Sequence, residues 1–211
     1  MTALQTTSTR DALVAEVRRL ILGGELSPGE SLTETMLASR FGVARPTIRS
    51  ALQELVARNL AQRATGRSLI VPVLTEADIQ DLFLIRTPLE LEAVRVIVES
   101  GVSLSRPERI LAEMDSLSPD VSWADRVEIH TEFHIALVEL AGSPRLNRIY
   151  PALQEEMQLC LAQLHNFYPG GTSLAAEHRR LLAAIATGDV AVAQAEMREH
   201  LSAAVRHLAA R

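Results

Sequence analysis

Between Leu32 and Leu60 the chain reads LTETMLASRFGVARPTIRSALQELVARNL, two short apolar-faced helical stretches separated by one glycine-centred turn. Few folds accommodate that spacing. Thr33 is placed to cap a helix over about Glu34 to Arg40, with Met36, Leu37 and Phe41 pointing inward. Gly42 supplies the positive φ at which this helix must stop, and Val43 packs back into the turn. A second helix starts near Arg45-Pro46, where proline in the first turn loses no hydrogen bond, and it faces Ile48, Leu52, Leu55 and Val56 inward. Arg45, Thr47 and Arg49 are then left at its exposed N-terminal end. This is the layout of a helix-turn-helix whose second helix enters the major groove of DNA. An arginine there can grip guanine through two hydrogen bonds, and a threonine can reach a base or a phosphate.

The flanks agree with that layout. Residues 10–23, RDALVAEVRRLILG, predict an amphipathic helix with Leu13, Val17, Leu20 and Ile21 on one face, ended by Gly23-Gly24. Ser27-Pro28-Gly29 follows as a turn. After the second helix, LAQRATGRSLIVP holds two short runs around Thr65-Gly66-Arg67, the pattern of a small β-hairpin wing. Charge is divided along the chain in the same sense. Residues 1–74 carry nine Arg against six acids, whereas residues 75–211 carry twelve Arg against twenty acids, so the overall net charge of −5 hides a basic first domain. Ordinary solvated helix charges are the plainer reading of two arginines alone; turn, wing and charge together favour the DNA-reading one.

From Thr75 onward the pattern is helical, beginning with Thr75 and Asp78 spaced as a capping box. Six helices are expected, near 76–100, 105–117, 122–141, 144–167, 174–187 and 190–209, separated by Gly, Ser-Pro and Asp breaks. Pro88 falls inside the first and is expected to kink it. The fold class that follows is mainly α: a winged helix-turn-helix over 1–74 with a small β-hairpin wing, and an all-α bundle of six helices over 75–211.

The histidines are the chemically distinctive residues of that second domain. His130 and His134 are four apart in HTEFH, so both imidazoles leave one helix face and could hold one ion. His178 and His200 lie on the last two helices, about ten residues before and about eleven after the Gly188-Asp189 turn, which at 1.5 Å per residue places them at similar heights. Four imidazoles could then converge. Satisfied core or surface histidines remain an equally open reading of the spacing alone. His165 and His207 have no such geometric relation. A hydrolytic zinc helix would carry H-E-x-x-H; here Glu132 sits two positions from each histidine, so a helical metalloenzyme is the weaker alternative.

GGELSPGESLTETMLASRFGVARPTIRSALQELVARNLA resembles the N-terminal domain of the GntR family of bacterial regulators over about 65 residues. By that resemblance Arg45, Thr47 and Arg49 fall on groove-contacting positions, and Thr65 and Gly66 on a wing tip that approaches the minor groove. Thr35 stands where many members place an arginine, and Ala44 where Ser or Thr is usual. EIHTEFHIALVELAGSPRL, AEHRRLLAAIATGD and MREHL look like the effector domain of the family's FadR-type branch, known as the FCD domain. Six helices point to its VanR-like subgroup. Many such domains hold zinc or nickel through an Asp-x-x-x-His pair and one histidine from each of the last two helices. Here those histidines are His134, His178 and His200, and His130 replaces the aspartate, an all-nitrogen set suited to zinc, nickel or copper. The resemblance further implies a small carboxylate effector beside the metal, held by Arg86, with Arg148 or Gln158 as further lining. An ion pair from Arg86 to Glu90, one helical turn on, is the other reading of that arginine.

No run of about 18 apolar residues is present, which excludes a membrane-spanning helix. MTALQTTSTR lacks a signal-peptide layout, and Cys160 as sole cysteine fits a reducing compartment, so a cytoplasmic location is expected. The expected function is that of a homodimeric transcription regulator, most simply a repressor and not an enzyme. It would bind a palindromic operator and respond to a small organic acid. A dimer with structural histidines and no metal-linked effector is the alternative.

Overall fold

The structure is a computed structural model that describes residues 8–64, 68–118, 120–163 and 172–209, with side chains from 175 to 206 in the last stretch. The chain divides into two compact units, Met1–Val73 and Leu74–Arg211.

In the first unit, α1 (Thr9–Leu22) starts where the Ser8 hydroxyl accepts from the Asp11 amide, and it buries Leu13, Val14, Val17, Leu20 and Ile21. Thr33 caps α2 (Glu34–Phe41) by accepting from the Met36 amide, and Gly42 ends it in the left-handed region at φ 64°. A residue with a Cβ would be strained there. α3 (Arg45–Ala57) has Ala44 at its N-cap and no side-chain cap, so proline in the first turn is the only local start signal. Ile48, Ala51, Leu52 and Leu55 form its buried stripe. Val56, Met36 and Phe41, all expected inside, are half-buried. Val56 and Met36 lie toward the edge of their helix's apolar stripe, and on α3 the stripe is completed by Ala51 on its opposite edge.

The wing is a two-residue antiparallel pair, β1 (Gln62–Arg63) with β2 (Leu69–Ile70), in the register Gln62 to Ile70 and Arg63 to Leu69. Its second strand is paired on the other side too. The Leu32 amide donates to the Leu69 carbonyl, the Val71 amide to Glu30, and the Gly29 amide to Val71. The wing tip, including Thr65 and Gly66, lies outside the described residues.

The regular structure described in the second unit is all helical: α4 (Glu76–Ser100), α5 (Ser105–Ser116), α6 (Trp123–Glu139), α7 (Pro144–Gln163), α8 (Thr172–Ala186) and α9 (Val190–Ala209). Thr75 and Asp78 close a full capping box at the start of α4. Pro88 does not interrupt this helix. Pro88 is exposed, which places the Leu84 carbonyl it cannot serve on the outer side, while the Thr87 hydroxyl donates to the Phe83 carbonyl one turn back. Phe83, Val94, Ile97, Phe133, Leu137, Met157, Leu181 and Met197 are among the side chains of the apolar core that joins the helices. No described helix is long and apolar enough to cross a membrane.

Candidate functional site

The helical faces that build the second unit's core are apolar except near one place. On α6 the buried stripe runs Val127, His130, Thr131, His134, Leu137 and Val138, so helical periodicity alone carries both histidines inside. On α4 the corresponding stripe runs Ile79, Phe83, Arg86, Glu90, Ala93, Val94 and Ile97, which puts two charged residues on core positions. α7 adds Tyr150, Gln154 and Gln158 at four-residue spacing, all buried. α8 and α9 contribute His178 and His200, 0% and 6% exposed.

These side chains meet. The Nε2 atom of His134 lies 3.1 Å from Nε2 of His178 and 3.4 Å from Nε2 of His200. Ring nitrogens of His130, His134 and His178 lie within 4.8 Å of one another. The rings of His178 and His200 are 4.7 Å apart, and those of His130 and His178 4.9 Å. Phe133 closes the apolar side, with its ring 4.7 Å from that of His178.

Behind His134 stands Glu90, 0% exposed. One carboxylate oxygen accepts from Arg86 at 2.8 Å and 2.7 Å, and the other lies 3.1 Å from Nδ1 of His134. A carboxylate paired with arginine only accepts hydrogen bonds, so Nδ1 is the protonated nitrogen of His134 and Nε2 carries the lone pair. That lone pair faces the other imidazoles. It can accept one well-directed hydrogen bond, yet two ring nitrogens approach it, and Nδ1 of His130 has no hydrogen-bond partner. A cation satisfies such a convergence better than a proton does. Two nitrogens bound at 2.0–2.1 Å to one tetrahedral ion are separated by about 3.3 Å. The observed 3.1 Å and 3.4 Å bracket that value.

Burial first, and then the neighbouring cationic and imidazole groups, push His130, His134 and His200 well below the ordinary histidine value. Neutral imidazoles are the form that binds a metal. Burial, followed by Glu90, pushes the Tyr150 phenol well above its ordinary range. Gln154 donates to the Tyr150 hydroxyl, and Gln158 to Glu128 at 2.9 Å. The Gln154 carbonyl oxygen and the Thr131 hydroxyl have no hydrogen-bond partner.

Arg86 is thus placed at the cluster, 1% exposed, in the ion pair with Glu90 and with its guanidinium carbon 5.1 Å from the Phe83 ring centre. Tyr150, Gln154 and Thr131 were not singled out from sequence. Their signal was available as polar residues on otherwise apolar helical stripes. Glu132 is exposed, away from the histidines, so the cluster has no general base from its own helix. His165 and the His207 side chain lie outside what is described.

In the first unit, Arg45 and Arg49 are exposed at the start of α3 and Thr47 is half-buried. Arg49 holds Glu34 of α2 through two hydrogen bonds, Nε to Oε1 at 2.7 Å and Nη2 to Oε2 at 3.0 Å. Both side chains reach solvent, so the pair is weak and exchangeable.

Residues 9–71 match the bacterial regulatory proteins of the gntR family, and residues 81–203 match the FCD domain. The uncharacterized HTH-type transcriptional regulator BphR of Paraburkholderia xenovorans is 30% identical over 166 residues, covering 74% of this chain and 68% of that protein. The HTH-type transcriptional repressor GlaR of Escherichia coli is 25% identical over 195 residues, covering 86% and 87%. A solved GntR-type structure from Rhodococcus sp. RHA1 superposes with a TM-score of 0.82 at 24% identity, covering 96% of this chain and 98% of its own. Escherichia coli McbR/YncC superposes with a TM-score of 0.71 at 21% identity, covering 96% and 98%. BphR and GlaR are transcriptional regulators, not enzymes. The chain belongs to the GntR family of bacterial transcriptional regulators, with an N-terminal DNA-binding winged helix-turn-helix and a C-terminal FCD effector domain.

Proposed function

We propose that this regulator is a repressor whose grip on a palindromic operator is set by a small carboxylate effector bound beside a divalent metal. His130, His134, His178 and His200 would hold the ion, zinc or nickel suiting an all-imidazole set best. The observation that carries the reading is the convergence of imidazole nitrogens on the single lone pair of His134. A bound metal would supply a Lewis-acidic anchor for a carboxylate. Arg86 is the cation nearest to hand for the same anion, which would have to share it with Glu90. Thr131 and Gln154 offer hydrogen-bonding atoms that nothing else uses. Structural histidines are the second reading, since 3.1 Å between His178 and His134 is also a hydrogen-bond distance.

Residues 1–74 would serve as the reading head and 75–211 as the effector and dimerisation domain. The six described helices of the second unit support the VanR-like subgroup. A homodimer is supported by an apolar face of the second unit. Ile149 is exposed there, and an open groove of about 350 Å³ is lined by Leu89, Val96, Leu146 and Ile149, with Glu92 and Arg145 also lining it. The effector acts only if it binds the operator-competent and released arrangements unequally. A cytoplasmic location goes with this role.

Two measurements test the proposal. Protein purified without tag or chelator should contain close to one zinc or nickel per chain, and a His134→Ala variant close to none; equal metal content in both removes the site. On an operator selected from randomised DNA, Arg49→Ala should bind on the order of ten- to a hundredfold more weakly than wild type. Unchanged affinity would strike Arg49 from the groove-reading set of Arg45, Thr47 and Arg49. The same assay with changes at Thr65 and Gly66 tests the wing tip.

A further inference from the structure

An ion held by four neutral imidazoles brings two positive charges into the core of the second unit with no anionic donor beside it. A buried charge without compensation is costly. Carboxylates behind the ligands can orient the imidazoles and lower that cost, and two stand there. Glu90 lies 3.1 Å from the Nδ1 of His134, and Glu177 of α8 lies 3.8 Å from the Nδ1 of His200 on α9. Each therefore stands behind an imidazole whose Nε2 faces the cluster. Their side chains are 0% and 13% exposed. The charge of Glu90 is balanced by Arg86, so Glu90 serves His134 chiefly as a hydrogen-bond acceptor.

We infer that Glu90 and Glu177 are the outer carboxylates of the four-histidine site, Glu90 orienting His134 by accepting from its Nδ1 and Glu177 placing negative charge 3.8 Å behind His200. The inference rests on the proposed metal site. Outer carboxylates make an imidazole more basic and hold its ring in the binding orientation, and their loss typically weakens metal affinity 10- to 100-fold. Neither residue touches the ion. Glu90 is a positioning residue that ties α4 to α6, whereas Glu177 acts on His200 from 3.8 Å, beyond hydrogen-bond reach.

The test is cobalt(II) titration of full-length protein in competition with a chelating dye, alongside thermal melts of the metal-free forms. Glu177→Gln should bind cobalt 10- to 100-fold more weakly with a melting temperature close to wild type, keeping the visible cobalt band of an unchanged ligand set. For Glu90 the variant is Arg86→Met with Glu90→Gln, which leaves no buried guanidinium unpaired, and a similar loss of affinity is expected. If that double variant fails to fold, Glu177→Gln alone decides. Wild-type affinity in the variants overturns the inference while leaving the metal site standing. A wild-type protein that takes up no cobalt, zinc or nickel overturns the site and the inference with it.

Discussion

Arg86→Ala should destabilise the second unit by about 3–5 kcal/mol, the usual cost of removing one partner of a buried ion pair. Arg86 and Glu90 are 1% and 0% exposed, and the guanidinium meets Glu90 at 2.7–2.8 Å. Alanine would leave the Glu90 carboxylate buried without its cation, with His134 and the Tyr150 hydroxyl as remaining partners. It would also vacate the space against Phe83, so a packing loss is added to the electrostatic one. Urea unfolding of wild type and variant measures this directly; a difference below about 1 kcal/mol would mean that Glu90 does not depend on Arg86. The consequence for effector binding is practical. Arg86→Ala confounds lost sensing with lost structure, whereas Arg86→Lys keeps the charge and removes the planar fork that reads a carboxylate. A carboxylate that releases operator from wild type but not from Arg86→Lys would locate its carboxyl at this residue. Equal release from both would confine Arg86 to its ion pair.

Metal-free protein should lose stability steeply as the pH falls below about 6.5. His130, His134 and His200 are held well below the ordinary value of 6.5, by burial first and then by neighbouring imidazoles and Arg86. In the unfolded chain the same imidazoles take up protons near pH 6.5. The unfolded state therefore binds more protons over the whole window from 6.5 down to the folded values, and stability falls across it as pH falls. An unfolded imidazole goes from half to about nine-tenths protonated between pH 6.5 and 5.5, so each histidine removes up to about 1 kcal/mol over that unit and three together up to about 3 kcal/mol. Carboxylates such as Asp78, held low by Thr75, act in the same direction only at more acid pH. Thermal melts of chelator-treated protein at pH 7.5, 6.5 and 5.5 check the slope; a flat profile would show that these imidazoles are not buried neutral. Protons also compete with a metal for the same nitrogens, so loaded protein should show the same sign.

Much of this protein was legible in residue spacing because the determinants are local. Thr33, Gly42 and Pro46 start and stop two helices through their own hydrogen bonding and φ preferences, and the structure has the helices at Glu34–Phe41 and Arg45–Ala57. The capping box at Thr75 and the Gly101 break bound α4 for the same reason. Helical period also carries His130 and His134 to one face. Where spacing misled, as with Met36 and Val56, the residues sit at the edge of an apolar stripe, and only the neighbouring helix determines how far an edge position is covered.

The sequence by itself determined the order of elements, the mainly helical class and the family, because caps, glycines and apolar periods act over one or two turns and need no partner. Tertiary structure alone decided what the polar residues do. Arg86 could be a free cation or half of an ion pair until α4 was packed against α6 and Glu90 was found between Arg86 and His134. His178 and His200 acquire a shared centre with His134 only because three helices bring nitrogens more than forty residues apart to within 3.4 Å. Contacts of that kind are set by how whole helical faces fit, a property no single segment contains.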